Sequence, residues 1–160
     1  MFEHNGNTIG YLGFSDVGPQ WIAAQETSSG ILLASDPDFA GIIKRASEKA
    51  PFLVVSFHWG DEYVPANDRQ KMLSHLAIDS GADLVIGHHP HVIQESEWYE
   101  GKYIIYSLGN LIFDQYFSEE TMQGLMLEVV VDKGEIATVK KNLVQLDATY
   151  RPKSISDYEN

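Results

Sequence analysis

The sequence has no cysteine, few basic residues and no long apolar run, and each absence excludes a class of structure or function. Without cysteine there are no disulfides and no thiolate metal ligands. Only 11 lysines and arginines stand against 23 acidic residues, a formal net charge of −12, which argues against a nucleic-acid-binding surface and against adsorption to an anionic membrane. No window approaches the ~18 apolar residues of a membrane-spanning helix. The N-terminus lacks a signal-peptide pattern, although a fragment of a longer protein would leave a signal or anchor upstream.

Length and composition are those of one soluble globular domain. The chain has 160 residues, of which 44% are apolar and 21% are charged. These proportions are ordinary for a folded domain, and the length is sufficient to bury a core.

Local patterns predict strands and helices in alternation. Asn5-Gly6-Asn7 predicts a turn, and a strand follows over residues 8–14. Ser35-Asp36-Pro37-Asp38 combines a capping side chain, an early proline and an acidic first turn, so a helix is predicted over residues 37–49. The other predicted elements are a helix over residues 67–80 and strands over residues 52–57, 84–86, 92–98, 103–106, 125–131 and 135–144.

The segment from residue 52 to residue 86 predicts a βαβ unit. Its two strands are nearly continuous apolar runs, which are typical of parallel strands covered on both faces. The sequence therefore predicts an α/β fold in which helices flank a mixed β-sheet. Residues 1–147 are predicted to form the domain and residues 148–160 a tail that is poorly ordered from residue 151 onward.

A histidine cluster directly follows the second of these strands. Asp83 to His91 reads Asp-Leu-Val-Ile-Gly-His-His-Pro-His, so three of the six histidines of the chain lie within residues 88–91. Packing several imidazoles together has no obvious folding benefit, because each buried ring nitrogen needs a hydrogen-bond partner. The cluster is therefore predicted to form part of a functional site.

Other polar residues are expected to reach the same edge of the sheet. His58 ends the first strand of the βαβ unit, and parallel strands end at the same edge, where ligand sites of open α/β sheets lie. If the hairpin over residues 92–106 turns at Glu100, antiparallel pairing returns Asn110 beside His91. His58, the histidine cluster and Asn110 should thus meet in space.

Metal binding is the chemistry that this set of residues favours. His89-Pro90-His91 in an extended conformation would place two imidazoles on the same side. Nitrogen and oxygen ligands without thiolate suit zinc, manganese or iron. Asp61, Glu62 or Asp114 can supply a carboxylate, although Asp61 and Glu62 are equally well explained as a solvated loop. Asn110 can supply a carbonyl oxygen or simply close a Gly-Asn turn.

Three motifs in order identify a resemblance that covers about residues 5–145. They are His58-Trp59-Gly60-x-Glu62-Tyr63, then Gly81-Ala82-Asp83-Leu84-Val85-Ile86-Gly87-His88-His89-Pro90-His91-Val92, and then Tyr106-Ser107-Leu108-Gly109-Asn110-x-x-Phe113-Asp114. The chain resembles the bacterial capsule-synthesis and poly-gamma-glutamate-synthesis family (CapA-like proteins), which is similar in fold to calcineurin-like metallophosphoesterases.

The resemblance implies roles for individual residues. His58, His89 and His91 correspond to late histidine ligands of a metal centre, with His88 as a competitor for the role of His89. Asn110 and Asp114 belong to the third family motif, and Asn110 is the predicted further ligand because its carbonyl oxygen can bind a metal. In a hydrolase of this type an imidazole protonates the leaving oxygen, which makes His58 and His88 the catalytic candidates.

The family pattern also has an earlier half, with a Gly-Asp motif and an Asn-His motif, that this chain does not show. The chain therefore resembles the C-terminal half of the family domain, half of a metallophosphoesterase-like β-sandwich with an incomplete metal site. Half a sandwich is expected to leave an apolar sheet face open, which would favour self-association.

Three hypotheses follow for function. The first is a metal-dependent phosphoesterase-like hydrolase, completed by the missing half, in capsule or poly-gamma-glutamate biosynthesis. The second is a non-catalytic component of a membrane-bound synthesis or export complex on the extracytoplasmic side of the cell envelope, handling a small molecule or an anionic polymer. The third is a folded fragment whose histidines bind no metal. No nucleic-acid partner is expected.

Overall fold

The computed structural model describes residues 1–4 and 7–157, and the predicted turn at Asn5-Gly6-Asn7 falls largely outside these ranges. Two β-sheets and two α-helices are found among the described residues. Along the chain these elements are β1 (Phe2–His4), β2 (Asn7–Ser15), α1 (Phe39–Ser47), β3 (Phe52–His58), α2 (Asp68–Asp79), β4 (Leu84–His88), β5 (Ser96–Tyr99), β6 (Lys102–Ile105), β7 (Gln123–Asp132), β8 (Glu135–Leu146) and β9 (Pro152–Asp157). None of the described helices has the length and apolar character needed to cross a membrane.

The larger sheet confirms the predicted mixed α/β architecture. Its strand order is β1-β2-β3-β4-β6-β5, in which β2, β3, β4 and β6 run parallel while β1 and β5 are antiparallel edges. The first six residues of β3 are buried, because this apolar strand is covered on both faces as the sequence predicted.

Helix α2 joins the parallel strands β3 and β4 and completes the predicted βαβ unit. It begins after Asn67, whose side chain accepts a hydrogen bond from the Gln70 amide while the Gln70 side chain accepts one from the Asn67 amide. This reciprocal capping fixes the helix start, so the chain between His58 and the helix has a defined end point.

Helix α1 begins two residues later than predicted. The Asp36 side chain accepts a hydrogen bond from the Asp38 amide at 2.8 Å, so the Ser-Asp-Pro-Asp segment forms a turn before the helix. The helix itself then runs over Phe39–Ser47, shorter than the predicted 37–49. Its buried residues, Phe39 and Ile43, pack against the sheet on the same side as α2.

The second sheet, with order β7-β8-β9, covers most of the opposite face of the larger sheet. Leu125 of β7 is buried in one apolar cluster with Val54, Leu84 and Ile105 of the larger sheet. The prediction of an open apolar sheet face is therefore wrong for the strands at the centre. On this face Ile9 of β2 packs against the same cluster, whereas Tyr11 of β2 is 51% exposed. Self-association through this face stays a prediction.

The predicted C-terminal tail contains a strand. Pro152–Asp157 forms β9 and pairs antiparallel with β8, from Leu146 opposite Pro152 to Asn142 opposite Asp157. The sequence did not predict this strand because it is polar, and a strand at the edge of a small sheet need not show an apolar run. Residues 158–160 of the predicted tail lie outside the described residues, and the division of the chain at residue 147 stays a prediction.

Candidate metal centre

The site lies at the carboxyl ends of β3 and β4, as predicted. His58 is paired in register with His88 across these parallel strands. The ring centroids of His58 and His89 are 4.5 Å apart, and those of His89 and His91 are 5.8 Å apart. The convergence expected from strand direction is therefore confirmed in the structure.

Three side chains bring their donor atoms close enough to share an ion. One ligand atom each from Glu62, His89 and His91 lies within 4.8 Å of the other two, and no other such group of three or more occurs among residues 1–4 and 7–157. Two imidazoles and one carboxylate suit a divalent transition metal. Glu62 therefore joins the histidines, whereas the sequence left it equally well explained as a solvated loop.

Asn110 orients His91. Asn110 is 5% exposed, and its amide nitrogen donates to the Thr121 carbonyl at 2.9 Å and to the Gln115 side chain at 3.3 Å. Its oxygen therefore faces the His91 Nδ1, 2.9 Å away, and accepts a hydrogen bond from it. This tautomer leaves the lone pair of His91 Nε2 free for a metal ion. In this structure the Asn110 carbonyl is engaged with His91, and its predicted role as a ligand stays a prediction.

The backbone of the histidine turn is strained. His89 has a φ of 103° and His91 a φ of 60°, so the expected extended conformation of His89-Pro90-His91 is wrong, and a turn brings the imidazoles together. Tyr63 also has a positive φ, 64°, and its amide donates to the Pro90 carbonyl at 2.8 Å. Such conformations cost roughly 1–3 kcal/mol each and cluster at functional sites.

The catalytic candidates His58 and His88 border this group. Burial lowers the pKa of the His88 imidazole. Burial also lowers the pKa of His58, and the neighbouring imidazoles of His89, His88 and His91 lower it further. Both rings are consequently neutral near pH 7, the state in which imidazole accepts a proton or binds a metal.

The two remaining carboxylate candidates do not join the group. Asp61 accepts a hydrogen bond from the Asn67 side chain at 2.8 Å, which ties it to the start of α2. Asp114 is exposed on the loop after Asn110. Sequence reasoning missed Thr121 and Gln115, which fix Asn110, because a backbone carbonyl and a loop amide give no recognisable spacing.

Replacing Asn110 by alanine is expected to reduce zinc affinity by about 10–100-fold, because His91 loses the partner that fixes its ring. Affinity can be measured by competition with a chromophoric chelator. Gln94→Ala is a suitable control, since Gln94 is also a buried amide (5% exposed), bonded to Gln70 and the Val64 carbonyl. An equal loss of affinity in both variants would contradict the orienting role.

Glycine at position 89 is expected to be more stable than alanine, by about 1 kcal/mol, because glycine adopts positive φ without steric cost. Urea unfolding of His89→Gly and His89→Ala in the presence of a chelator measures the difference. The same pair at His75, in the middle of α2, should show the opposite order by about 1 kcal/mol. Equal stabilities at position 89 would mean that the turn is unstrained.

The comparisons with known proteins agree with the motifs. The family model described as bacterial capsule synthesis protein PGA_cap matches residues 1–115. The PGA biosynthesis protein CapA of Bacillus subtilis is 46% identical over 112 residues, which are 69% of this chain and 30% of that protein. The capsule biosynthesis protein CapA of Bacillus anthracis is 34% identical over 135 residues, 81% of this chain and 33% of that protein.

A solved structure shares the fold. A hypothetical protein from Thermus thermophilus aligns with a TM-score of 0.60 and 16% sequence identity, covering 90% of this chain and 60% of that one. This likeness concerns the fold alone. The chain spans about a third of the length of the two Bacillus relatives, and by the match over residues 1–115 it belongs to the bacterial capsule synthesis protein family PGA_cap.

Proposed function

We propose that Glu62, His89 and His91, with His58 beside them, hold a divalent ion such as zinc, manganese or iron in a protein of capsule or poly-gamma-glutamate biosynthesis. The observation that carries the proposal is the convergence of the three donor atoms within 4.8 Å. The names of the Bacillus relatives support the biosynthetic role and a place in the cell envelope. An extracytoplasmic position and a membrane-bound synthesis complex are part of the proposal.

The residues present fit a metal ion. His91 presents Nε2 because Asn110 occupies its Nδ1, Glu62 adds an anionic oxygen, and the strained turn holds His89 and His91 close together. A bound divalent ion supplies Lewis acidity and lowers the pKa of a coordinated water. His58 and His88 offer neutral imidazoles at the border of the site, which can accept a proton and, once protonated, donate it.

We extend the proposal to a metallophosphoesterase-like scaffold with hydrolase activity in the whole protein. The position of the site at the carboxyl edge of a parallel sheet, between helices and a second sheet, supports this. Because the chain spans about a third of the Bacillus relatives, further ligands and substrate contacts are assigned to the rest of the protein. A non-catalytic envelope component is the alternative.

The role can be tested in the organism that encodes this chain. Replacing Glu62 by glutamine at the native locus is expected to reduce the yield of capsular polymer at least severalfold, whereas Glu128→Gln, an exposed position on β7, should leave it unchanged. Normal polymer yield in the Glu62 strain, with normal amounts of the protein, would contradict a role for the metal centre. Loss of polymer without any metal in the purified protein would favour the non-catalytic component.

A further inference from the structure

A groove with a volume of about 630 Å³ adjoins the metal centre. Tyr63 and Val92 line it, and they directly follow Glu62 and His91 in the chain. Its opposite wall comes from the loop between β6 and β7, through Phe117 and Glu120. A ligand in this groove would therefore lie next to the side chains proposed to hold the ion.

Two exposed aromatic rings form part of the groove wall. The Tyr63 and Phe117 rings meet edge to face, with centroids 5.1 Å apart at 87°. Tyr63 is 40% exposed and Phe117 63% exposed. A hydrogen bond from the Gln115 side chain to the Tyr63 hydroxyl, 2.8 Å long, fixes the tyrosine. Exposed aromatic faces bind organic cations through their negative quadrupole.

The charges along the groove are negative. Glu95 and Glu120 line it, and no lysine or arginine is among its lining residues. Glu95 is partly neutralised by Lys71, 3.6 Å away, whereas Glu120 has no ion pair among the residues that the structure describes. Hydrogen bonds from its own backbone amide and from the Ser118 hydroxyl lower the pKa of Glu120, so this carboxylate is charged at neutral pH.

The sequence around the groove also lacks basic residues, which adds to its negative charge. Lysine and arginine are absent from residues 50–68, 72–101 and 103–132, which carry the site histidines and both groove walls. A phosphate or a polycarboxylate chain entering the groove would meet the charged Glu120 and the partly neutralised Glu95, and this repulsion disfavours anionic ligands. The groove therefore does not fit a polyanion.

We propose that this groove binds a ligand through a positively charged ammonium group, held against the exposed sides of the Tyr63 and Phe117 ring pair and paired with the Glu120 carboxylate. The proposal rests on the proposed function in one respect, since it places the ammonium end of the substrate beside the metal centre. The charge of the groove indicates which class of substrate group enters it. The part of the substrate that reaches the groove is an amine or quaternary ammonium, and the polyanionic product polymer is excluded from it.

Choline and its neutral isostere 3,3-dimethylbutan-1-ol are probes of equal shape and different charge. In titrations followed by NMR, choline is expected to shift the Tyr63 and Phe117 ring resonances and to bind about tenfold more tightly than the neutral isostere. N-acetylated tri-gamma-glutamate, which carries carboxylates and no ammonium group, should cause no shifts at these rings. Equal binding of choline and its isostere, or tighter binding of the glutamate trimer, would overturn the proposal.

Two substitutions locate the interaction. Glu120→Gln is expected to weaken choline binding by about fivefold, and Phe117→Leu by a similar factor. Glu119→Gln is the matched control, because Glu119 is the neighbouring exposed acid and does not line the groove. A loss of the same size in the control would overturn the assignment to Glu120.

The same titration separates this proposal from the metal proposal. In a His89→Ala chain choline should still bind with unchanged affinity, since His89 does not line the groove and Tyr63, Phe117 and Glu120 are intact. If the wild-type chain binds no metal but retains charge-selective choline binding, the metal proposal is contradicted and the groove proposal is supported. If the chain binds metal but not choline, the groove proposal is contradicted and the metal proposal is supported.

Discussion

Replacing His89 and His91 together by alanine is expected to lower the zinc affinity of the chain at least about 100-fold. The two imidazoles supply two of the three donor atoms that lie within 4.8 Å of one another. The exposed Glu62 carboxylate and the adjacent His58 imidazole, which remain, bind divalent ions weakly. The fold should persist, because both side chains are only partly buried and lie in a turn outside the strands. Competition titration with a chromophoric chelator measures the affinity, and circular dichroism checks the fold.

His75→Ala is the control for this double variant. His75 lies on α2, where its Nε2 bonds the Glu97 carboxylate at 2.6 Å and its ring stacks on Tyr99 at 3.9 Å. Removing it should leave zinc affinity within about twofold of the wild-type value, since this histidine lies outside the group of donor atoms. A double variant that binds zinc as tightly as wild type would show that the ion, if present, sits elsewhere.

Gly87→Ala is expected to destabilise the fold by about 3 kcal/mol or more. A Cβ at position 87 would lie 1.8 Å from the Tyr106 carbonyl oxygen and 2.4 Å from the Trp59 indole nitrogen. These two atoms form a buried hydrogen bond of 2.8 Å. The clash is with backbone, which cannot move aside cheaply inside a packed sheet, so overpacking and a lost hydrogen bond add together. Urea unfolding provides the measurement.

Gly13 provides a matched glycine in the same sheet. A Cβ added at Gly13 would meet no atom within 4 Å, so Gly13→Ala should change the free energy of unfolding by less than about 1 kcal/mol. Equal unfolding midpoints for the two alanine variants would show that the close approach at Gly87 is absent in solution. A lower urea midpoint of unfolding for Gly87→Ala, with the Gly13→Ala midpoint unchanged, would support the close packing around Gly87, the residue that precedes His88.

The large features of the fold could be predicted because they depend on long, unambiguous patterns. The run over residues 52–57 and the helix that follows it have one reasonable arrangement, a right-handed βαβ unit. Strand direction then brings His58 and His88 to the same edge, and the structure pairs them in register. The motifs around these strands also carried the family resemblance, which the family model confirms over residues 1–115.

The finer features depend on contacts between distant residues, which no local pattern reports. The second sheet covers the face that was expected to be open, because its strands pack Leu125 against Val54 and Leu84 from far along the chain. The left-handed conformation of His89 is unfavourable for its residue type, so local propensity predicts the wrong backbone. The orientation of Asn110 toward His91 is set by the Thr121 carbonyl, which has no sequence signature.

The roles of the individual site residues also could not be predicted from local sequence patterns. Sequence patterns identified the imidazoles and offered three carboxylates, of which Asp61 and Glu62 were equally well explained as a solvated loop. Only the fold distinguishes them, because Asp61 bonds the Asn67 cap of α2 while Glu62, the next residue, joins His89 and His91. Neighbouring residues on a loop point in different directions, so their assignment requires the path of the backbone.

The X-ray absorption spectrum of the tag-free chain loaded with one equivalent of zinc tests the central claim most directly. We expect nitrogen and oxygen donors around the zinc, with additional scattering from two or three imidazole rings, because Glu62, His89, His91 and the adjacent His58 lie together. A shell of oxygen donors without imidazole scattering, or zinc that is removed by simple dialysis, would contradict a metal centre at the histidine turn.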